Sequence, residues 1–271
     1  MNPCVVFVTV ANRRRSFAEA ALLCALIAEG AAEQPTKTTS GALLRRCLPP
    51  SFNKKLLQRA AKKLADEGLV SASVLPNTRT TYTVATAVLD DALNNSAVEA
   101  SSEQVAPLAR LTAVLHQFGD YDEAVLLCRL LEIPAADLPQ LSLSAVIEPF
   151  AMWMDRFRAH RVLKRLAARG FVTLESKPRA GVQISLAADA AAELLARPLP
   201  NLRYLRPDAF ASQPYFIARA ARLASAGADG QSVELGAADL AVSDVESRAD
   251  LSAARAQAAA VDDAASTSLS T

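Results

Sequence analysis

Two short rows of basic residues carry the clearest chemistry in this chain of 271 residues. Basic side chains at positions i, i+3 and i+4 occur twice, 102 residues apart: Arg59, Lys62 and Lys63, then Arg161, Lys164 and Arg165. On a helix this spacing places the three side chains of each row on one side. Guanidinium and ammonium groups bind phosphate oxygens, whereas a single charged helix face often serves only solubility. Because the row recurs, we interpret it as a phosphate-binding surface.

The basic rows belong to a longer internal repeat. AEAALLCALI at 18–27 and DEAVLLCRLL at 122–131 are identical at six of ten positions, including one of only four cysteines. Further along, KKLADEGLVSASVLP at 62–76 aligns with KRLAARGFVTLESKP at 164–178. These matches predict two copies of one small fold. We refer to residues 16–95 as the first copy and to residues 120–196 as the second copy.

Each copy begins with the same predicted helices. An amphipathic first helix and a shorter second helix are predicted in both, at 16–29 and 39–48, and at 120–132 and 142–153. A third helix begins near Ser51 or Asp155, which are suitable N-cap residues. It ends at Gly68 or Gly170, which suit the left-handed position after a helix. In both copies these are followed by two strands joined by a turn, PNTR in the first copy and KPRA in the second.

Three helices followed by a β-hairpin with a basic tip resemble the winged helix-turn-helix family, with MarR-like regulators as the nearest general likeness. The resemblance covers 16–95 and 120–196 and rests on the order of elements. It implies a mainly α fold with small β-hairpins, an α+β class, in two tandem winged-helix domains. It also implies that the third helix enters the major groove of double-stranded DNA.

The resemblance extends the set of candidate DNA-binding residues beyond the basic rows. Near the start of the third helix, where base edges are met, it adds Lys54, Lys55 and Gln58 in the first copy, and Arg158 and His160 in the second. At the tips of the hairpins it adds Thr78 and Arg79, and Lys177 and Arg179. Turn residues are also often polar for solubility alone. Lys55 and Gln58 are the predicted base contacts.

Four further segments lie outside the two copies. Residues 1–15 are predicted to form a strand or basic arm, because the apolar run CVVFVTVA precedes Arg13, Arg14 and Arg15. Residues 96–119 contain a predicted linker helix, and 197–225 form an extension with a short helix. The tail at 226–271 is rich in alanine and acidic residues, which predicts disorder. Arg13 to Arg15, with Arg45 and Arg46, could extend the phosphate-binding surface or simply be solvated.

The second copy departs from the pattern expected of a DNA-binding domain. It carries four large apolar residues before and within the start of its third helix: Met152, Trp153, Met154 and Phe157. We interpret them as core residues. The alternative is an exposed surface at Met152, Trp153 and Phe157 that contacts a second subunit, giving a homodimer, or another protein.

Composition argues against several other classes of protein. The chain has 29 basic and 28 acidic residues and only two histidines, His116 and His160, neither within a metal or triad pattern. No phosphate-binding glycine motif occurs. No apolar run approaches the roughly 18 residues that span a bilayer. We therefore expect no enzyme activity, no cofactor and no membrane, and free cysteines in a cytoplasmic, nucleoid-associated protein.

The leading hypothesis is a sequence-specific transcriptional regulator whose two copies address two half-sites on DNA. A second hypothesis is a replication or partition protein of a plasmid or other mobile element, since tandem winged helices are also similar to such initiators. A third is a winged-helix scaffold that binds proteins and not DNA. The near-neutral charge and the apolar cluster favour the scaffold, whereas the repeated basic row favours DNA.

Overall fold

The computed structural model describes residues 3–74, 79–94, 105–177, 181–206 and 208–233. These residues are mainly helical, with two small antiparallel sheets. Met1–Ile217 forms one compact unit, and a second unit begins at Ala218, within the last helix described. The α+β class expected from the sequence is therefore confirmed.

The first element is a helix, α1 (Pro3–Arg14), where the sequence predicts a strand or arm. Val6, Phe7, Val8 and Val10 are buried in the core. β-branched residues favour strands in general, but burial on several sides outweighs that local preference here. The prediction for residues 1–15 is therefore wrong. α1 is a central element of the core and not a mobile arm.

The first copy follows α1 in the order helix, strand, two helices, hairpin and helix. Its elements are α2 (Phe17–Ala28), β1 (Thr36–Thr38), α3 (Ser40–Arg46), α4 (Lys54–Asp66), β2 (Val70–Val74), β3 (Thr80–Val84) and α5 (Thr86–Asn94). The sheet has the order β1-β3-β2, with Thr36 opposite Tyr82 and Val70 opposite Val84. The sequence does not predict β1. Every residue of α2 except Ala18 is buried. This helix is therefore not amphipathic, contrary to the prediction from the sequence.

The second copy repeats this order with one strand fewer. Its elements are α7 (Tyr121–Glu132), α8 (Leu143–Ile147), α9 (Arg156–Ala168), β4 (Val172–Lys177), β5 (Gly181–Leu186) and α10 (Ala188–Ala196). A 3-10 turn at Leu138–Gln140 packs against β5, where the first copy has β1. α8 is shorter than the predicted 142–153, because a second 3-10 turn containing Pro149 follows it at Glu148–Phe150.

A helix between the copies joins them into one core. α6 (Val105–Phe118) packs against α1 and also against α7 and α10. Leu108 and Leu115 are buried on the face that the sequence predicts, and one continuous hydrophobic cluster includes residues of both copies. Tyr121 of the second copy also donates a hydrogen bond to Asn12 of α1. The copies are therefore two parts of one compact unit.

The third helix of each copy, α4 or α9, has well-defined ends. The side chain of Asn53 accepts a hydrogen bond from the backbone N–H of Leu56 at 2.9 Å, so the N-cap of α4 is Asn53 and not the predicted Ser51. Asp155 caps α9 as predicted. Gly68 and Gly170 follow the two helices with φ of +70° and +80°. This left-handed conformation favours glycine and turns the chain into the hairpin.

The remaining described residues follow α10. A 3-10 turn at Arg203–Leu205 and the short helix α11 (Asp208–Ala211) bring Tyr204 and Phe210 into the core. The last helix, α12 (Pro214–Val233), is longer than the predicted 212–225. Residues 226–233, which the sequence predicts to belong to the disordered tail at 226–271, are part of α12, and the rest of that predicted tail, 234–271, lies outside the described residues.

Candidate nucleic-acid interface

α4 presents one apolar side and one basic side. Leu57, Ala60 and Leu64 are buried against the rest of the first copy. On the other side lie exposed polar side chains, namely Lys54, Lys55, Gln58, Arg59 and Lys62. None of these side chains forms an ion pair with any residue that the structure describes. This surface, which we name the α4 basic face, is open to a ligand.

α9 has the same construction with different outward side chains. Ala159, Val162, Leu163 and Leu166 are buried. The opposite side exposes Phe157, Arg161 and Lys164, while His160 is half-buried. No ion pair to Arg161 or Lys164 occurs among the described residues. The second copy therefore also has a basic surface, but with an aromatic residue at its amino-terminal end.

The third member of each basic row has a partner within the protein. Lys63 Nζ lies 3.3 Å from Oε1 of the buried Glu19, and Arg165 Nε lies 3.1 Å from Oε1 of the buried Glu123. Glu19 and Glu123 occupy equivalent positions in the opening match of the repeat. Lys63 and Arg165 are therefore held by the first helix of their own copy. The sequence-based interpretation placed them on the free surface and did not identify Glu19 and Glu123 as their partners.

A second basic residue, an arginine in both copies, completes each of these ion-pair clusters. Arg14 Nε lies 2.7 Å from Glu19 Oε2 and also contacts Glu67, while Arg169 Nε lies 2.9 Å from Glu123 Oε2. Burial raises the pKa of Glu123, whereas Arg169 and Arg165 favour its ionised form. The clusters fix the third helix of each copy against the first. Their role is structural.

Arg158 is also engaged, although the sequence predicts it at the DNA surface. Its guanidinium binds Asp122 through two hydrogen bonds of 2.7 and 3.0 Å and donates to the Trp153 carbonyl. Leu56 occupies the equivalent position in the first copy. An arginine in a bidentate pair with a carboxylate is not available for contact with a base. The side chain of Arg158 therefore points toward α7 and not toward the outward side of α9.

The wing tips are described only in part. Arg79 precedes β3 and is exposed. Thr78 and Arg179 lie outside the described residues. Lys177 ends β4, and only its backbone is described. The predicted contacts of the two tips therefore stay predictions.

The arginines at the end of α1 are largely engaged with the rest of the chain. Arg13 contacts Asp91 at 3.4 Å, and Arg14 binds Glu19. The guanidinium carbon of Arg15 lies 5.1 Å from the ring centroid of Trp153. The proposed extension of the phosphate-binding surface through Arg13, Arg14 and Arg15 is therefore not favoured. Arg45 and Arg46 are exposed at the end of α3.

The apolar residues of the second copy divide into two groups. Met154 is buried, and Trp153 is half-buried at a cavity of about 390 Å³ that it lines with Tyr121 and Phe150. Met152 and Phe157 are 96% and 84% exposed. The interpretation of all four as core residues is therefore wrong for these two. Near a turn and a helix start, apolar type alone does not determine burial.

His116 belongs to the core and not to a reactive site. It lies among Phe7, Phe17 and Tyr204. Its Nδ1 donates to the Thr112 carbonyl at 2.7 Å, so Nε2 of the neutral ring accepts from the Tyr204 hydroxyl at 2.8 Å. Burial lowers the pKa of His116 to about 4. The ring is therefore an uncharged packing element at neutral pH.

The described residues contain neither a metal-binding cluster nor a membrane-spanning helix. Across the described ranges, no three histidine, cysteine, aspartate or glutamate side chains are grouped to hold a metal ion. In the same ranges no helix combines the length and apolar character needed to cross a membrane. Comparisons with protein-family models, with curated proteins and with solved structures found no match to this chain.

Proposed function

We propose that this protein binds double-stranded DNA through two tandem winged-helix domains, with α4 in the major groove, and acts as a transcriptional regulator. The observation that carries the proposal is the α4 basic face. Lys55, Arg59 and Lys62 project from the side opposite the buried residues and form no ion pair with described residues. A row of this kind attracts a polyanion, and its spacing along one side of a helix fits a groove.

The element order supports a winged-helix interpretation of both copies. In the first copy three helices precede the hairpin of β2 and β3. β1 pairs with the edge of β3 that does not pair with β2. The ion-pair clusters at Glu19 and Glu123 hold α4 and α9 at equivalent places on their first helices. One chain therefore contains two third helices that are held against their first helices in the same way. A homodimer usually provides the same pair from two chains.

A protein-binding scaffold is the second candidate, because Met152 and Phe157 are exposed. Large apolar groups on a surface often mark a contact with another subunit or protein. The two candidates differ in their response to salt. DNA binding through phosphates weakens steeply with salt. A scaffold that binds only proteins should not bind duplex DNA at any salt concentration.

Fluorescence anisotropy with a random-sequence duplex of about 25 base pairs tests the proposal. The wild-type protein is expected to bind at low salt. The variant K55A/R59A/K62A should lose at least about tenfold in affinity, because on a random-sequence duplex, where no base contact is selected, each alanine removes one positive charge that can neutralise a phosphate. The matched control K55R/R59K/K62R exchanges the two cation types but keeps all three charges, and it should stay within about threefold of the wild type.

The folded state of each variant is checked by circular dichroism and thermal unfolding. All three substituted residues are exposed, so their replacement should leave stability nearly unchanged. A folded alanine variant that binds duplex DNA as well as the wild type would contradict the proposal. An absence of wild-type binding at low salt would favour the scaffold.

A further inference from the structure

The two third helices present different side chains at equivalent outward positions. In the alignment of the repeat, Lys55 corresponds to Phe157 and Gln58 corresponds to His160. The next two outward positions keep their charge, with Arg59 and Lys62 equivalent to Arg161 and Lys164. The copies therefore share a phosphate-binding row but differ at the amino-terminal end of the helix, where a groove-binding helix meets base edges.

Phe157 is an exposed aromatic ring within a basic surface. Phe157 is 84% exposed, and Arg156, Arg161 and Lys164 are exposed on the same helix. An apolar ring in water has an unfavourable free energy that burial against a partner removes. The surrounding charges select an anionic partner. A polyanion that also offers apolar groups to a helix is duplex DNA, whose major groove carries the C5 methyl group of each thymine.

The equivalent residues of α4 suit different bases. A lysine donates to the O6 and N7 acceptors of guanine, and a glutamine pairs with the N6 and N7 groups of adenine. Lys55 and Gln58 are both exposed. A phenylalanine offers no hydrogen bond and distinguishes bases only through apolar contact. The two copies thus have the chemistry to select purines in one part of a site and thymine in the other.

We propose that Phe157 is a specificity-determining residue that packs against a thymine methyl group, so that the two copies read different sequences and the DNA site is asymmetric. This inference rests on the proposed function. A homodimer presents identical helices and selects a palindrome. A single chain with diverged copies has no such constraint.

Sequencing of duplexes that the full-length protein selects from a randomised pool tests the inference. The wild type is expected to select two unlike half-sites, one of which contains a preferred thymine. Phe157→Ala should lose the preference at that thymine and keep the other positions. Met152→Ala is the matched control, since Met152 is also a highly exposed apolar residue but precedes α9, and its selected sequence should equal that of the wild type.

A second measurement isolates the methyl group. Replacing the preferred thymine by uracil removes only the C5 methyl, and about fourfold of wild-type affinity should be lost, which corresponds to one buried methyl group. Phe157→Ala should bind the two duplexes equally. A palindromic selected site, an unchanged selection by Phe157→Ala, or equal wild-type affinity for thymine and uracil would each overturn the inference.

The outcomes separate failure of the inference from failure of the proposed function. If the wild type enriches no sequence and binds no duplex, the proposed function fails and the inference with it. If duplex binding is intact but Phe157→Ala leaves selection unchanged, only the inference fails. Self-association in sedimentation experiments that Phe157→Ala abolishes, together with unchanged selection, would instead assign Phe157 to contact with a second copy of the chain.

Discussion

Lys63 Nζ lies 3.3 Å from Glu19 Oε1, which connects the basic row of α4 to a buried carboxylate of α2. The second copy repeats the contact between Arg165 and Glu123 at 3.1 Å. One member of each basic row therefore holds the helix in place, while the other two face outward. This division of roles separates substitutions that affect stability from substitutions that affect binding.

Glu19→Gln is expected to lower the free energy of unfolding by about 2 kcal/mol, because Arg14 and Lys63 lose a buried ionic partner. The estimate lies below the range for fully buried pairs, since Lys63 is 64% exposed. Urea denaturation measures the change. The control Glu193→Gln alters a 74% exposed carboxylate and should cost less than about 0.5 kcal/mol. Equal stability of the two variants would contradict the structural role of Glu19.

Arg158→Ala should affect stability and Arg161→Ala should affect DNA affinity, although both residues lie on α9 and the sequence predicts both at the DNA surface. Loss of Arg158 removes two hydrogen bonds to Asp122, so stability should fall by about 1 to 2 kcal/mol while DNA affinity is retained. Loss of Arg161 should leave stability unchanged and reduce DNA affinity. Urea denaturation and anisotropy distinguish them. A large binding defect in folded Arg158→Ala would return this residue to the interface.

The position of the α4 N-cap gives a third prediction. Asn53→Ala should lower stability by about 1 kcal/mol, because the backbone N–H of Leu56 loses its acceptor. Ser51→Ala is the matched control and should change stability by no more than a few tenths of a kcal/mol, since Ser51 lies before the cap. Thermal unfolding of both variants measures the difference. If Ser51→Ala is the more damaging substitution, the helix begins earlier than the structure places it.

Stability should decrease with acidity through His116. The unfolded chain binds a proton near the ordinary histidine pKa of 6.5, whereas the folded protein does so only near pKa 4. As pH falls between these values, the unfolded state is therefore favoured, by up to about 3 kcal/mol. Urea midpoints between pH 7 and 5 measure this effect. His116→Gln should reduce the dependence and His160→Gln should keep it; an identical dependence in both variants would exclude His116 as the cause.

Local signals in the sequence predicted much of the fold. Gly68 and Gly170 lie after the third helices with positive φ, and Asp155 caps α9, because caps and glycine turns depend on neighbouring residues. The repeat indicated that both copies have the same order of elements. In contrast, Val5 to Val10 form a helix despite their preference for strands. Their burial depends on α6, about 100 residues away, as well as on the neighbouring α2, and no local pattern shows the contact with α6.

The candidate site was predicted less completely than the fold. Helical spacing identified the side of α4 that carries Arg59 and Lys62, because periodicity relates residues within one helix. It did not show that Lys63 is bound by Glu19, which lies on a different helix. Glu19 and Glu123 could have been noticed as identical charged residues within an apolar repeat. Exposure of Phe157 required knowledge of how α9 packs.

The most direct test of DNA binding by α4 is the slope of log Kobs against log salt concentration on a random-sequence duplex, measured for the wild type and for K55A/R59A/K62A. Each released counterion contributes about 0.9 to this slope, so the variant should show a slope smaller by about three. Arg197→Ala, which removes an exposed arginine from the end of α10, should keep the wild-type slope. A wild-type slope near zero, or an equal slope in the folded alanine variant, would contradict binding of DNA phosphates by α4.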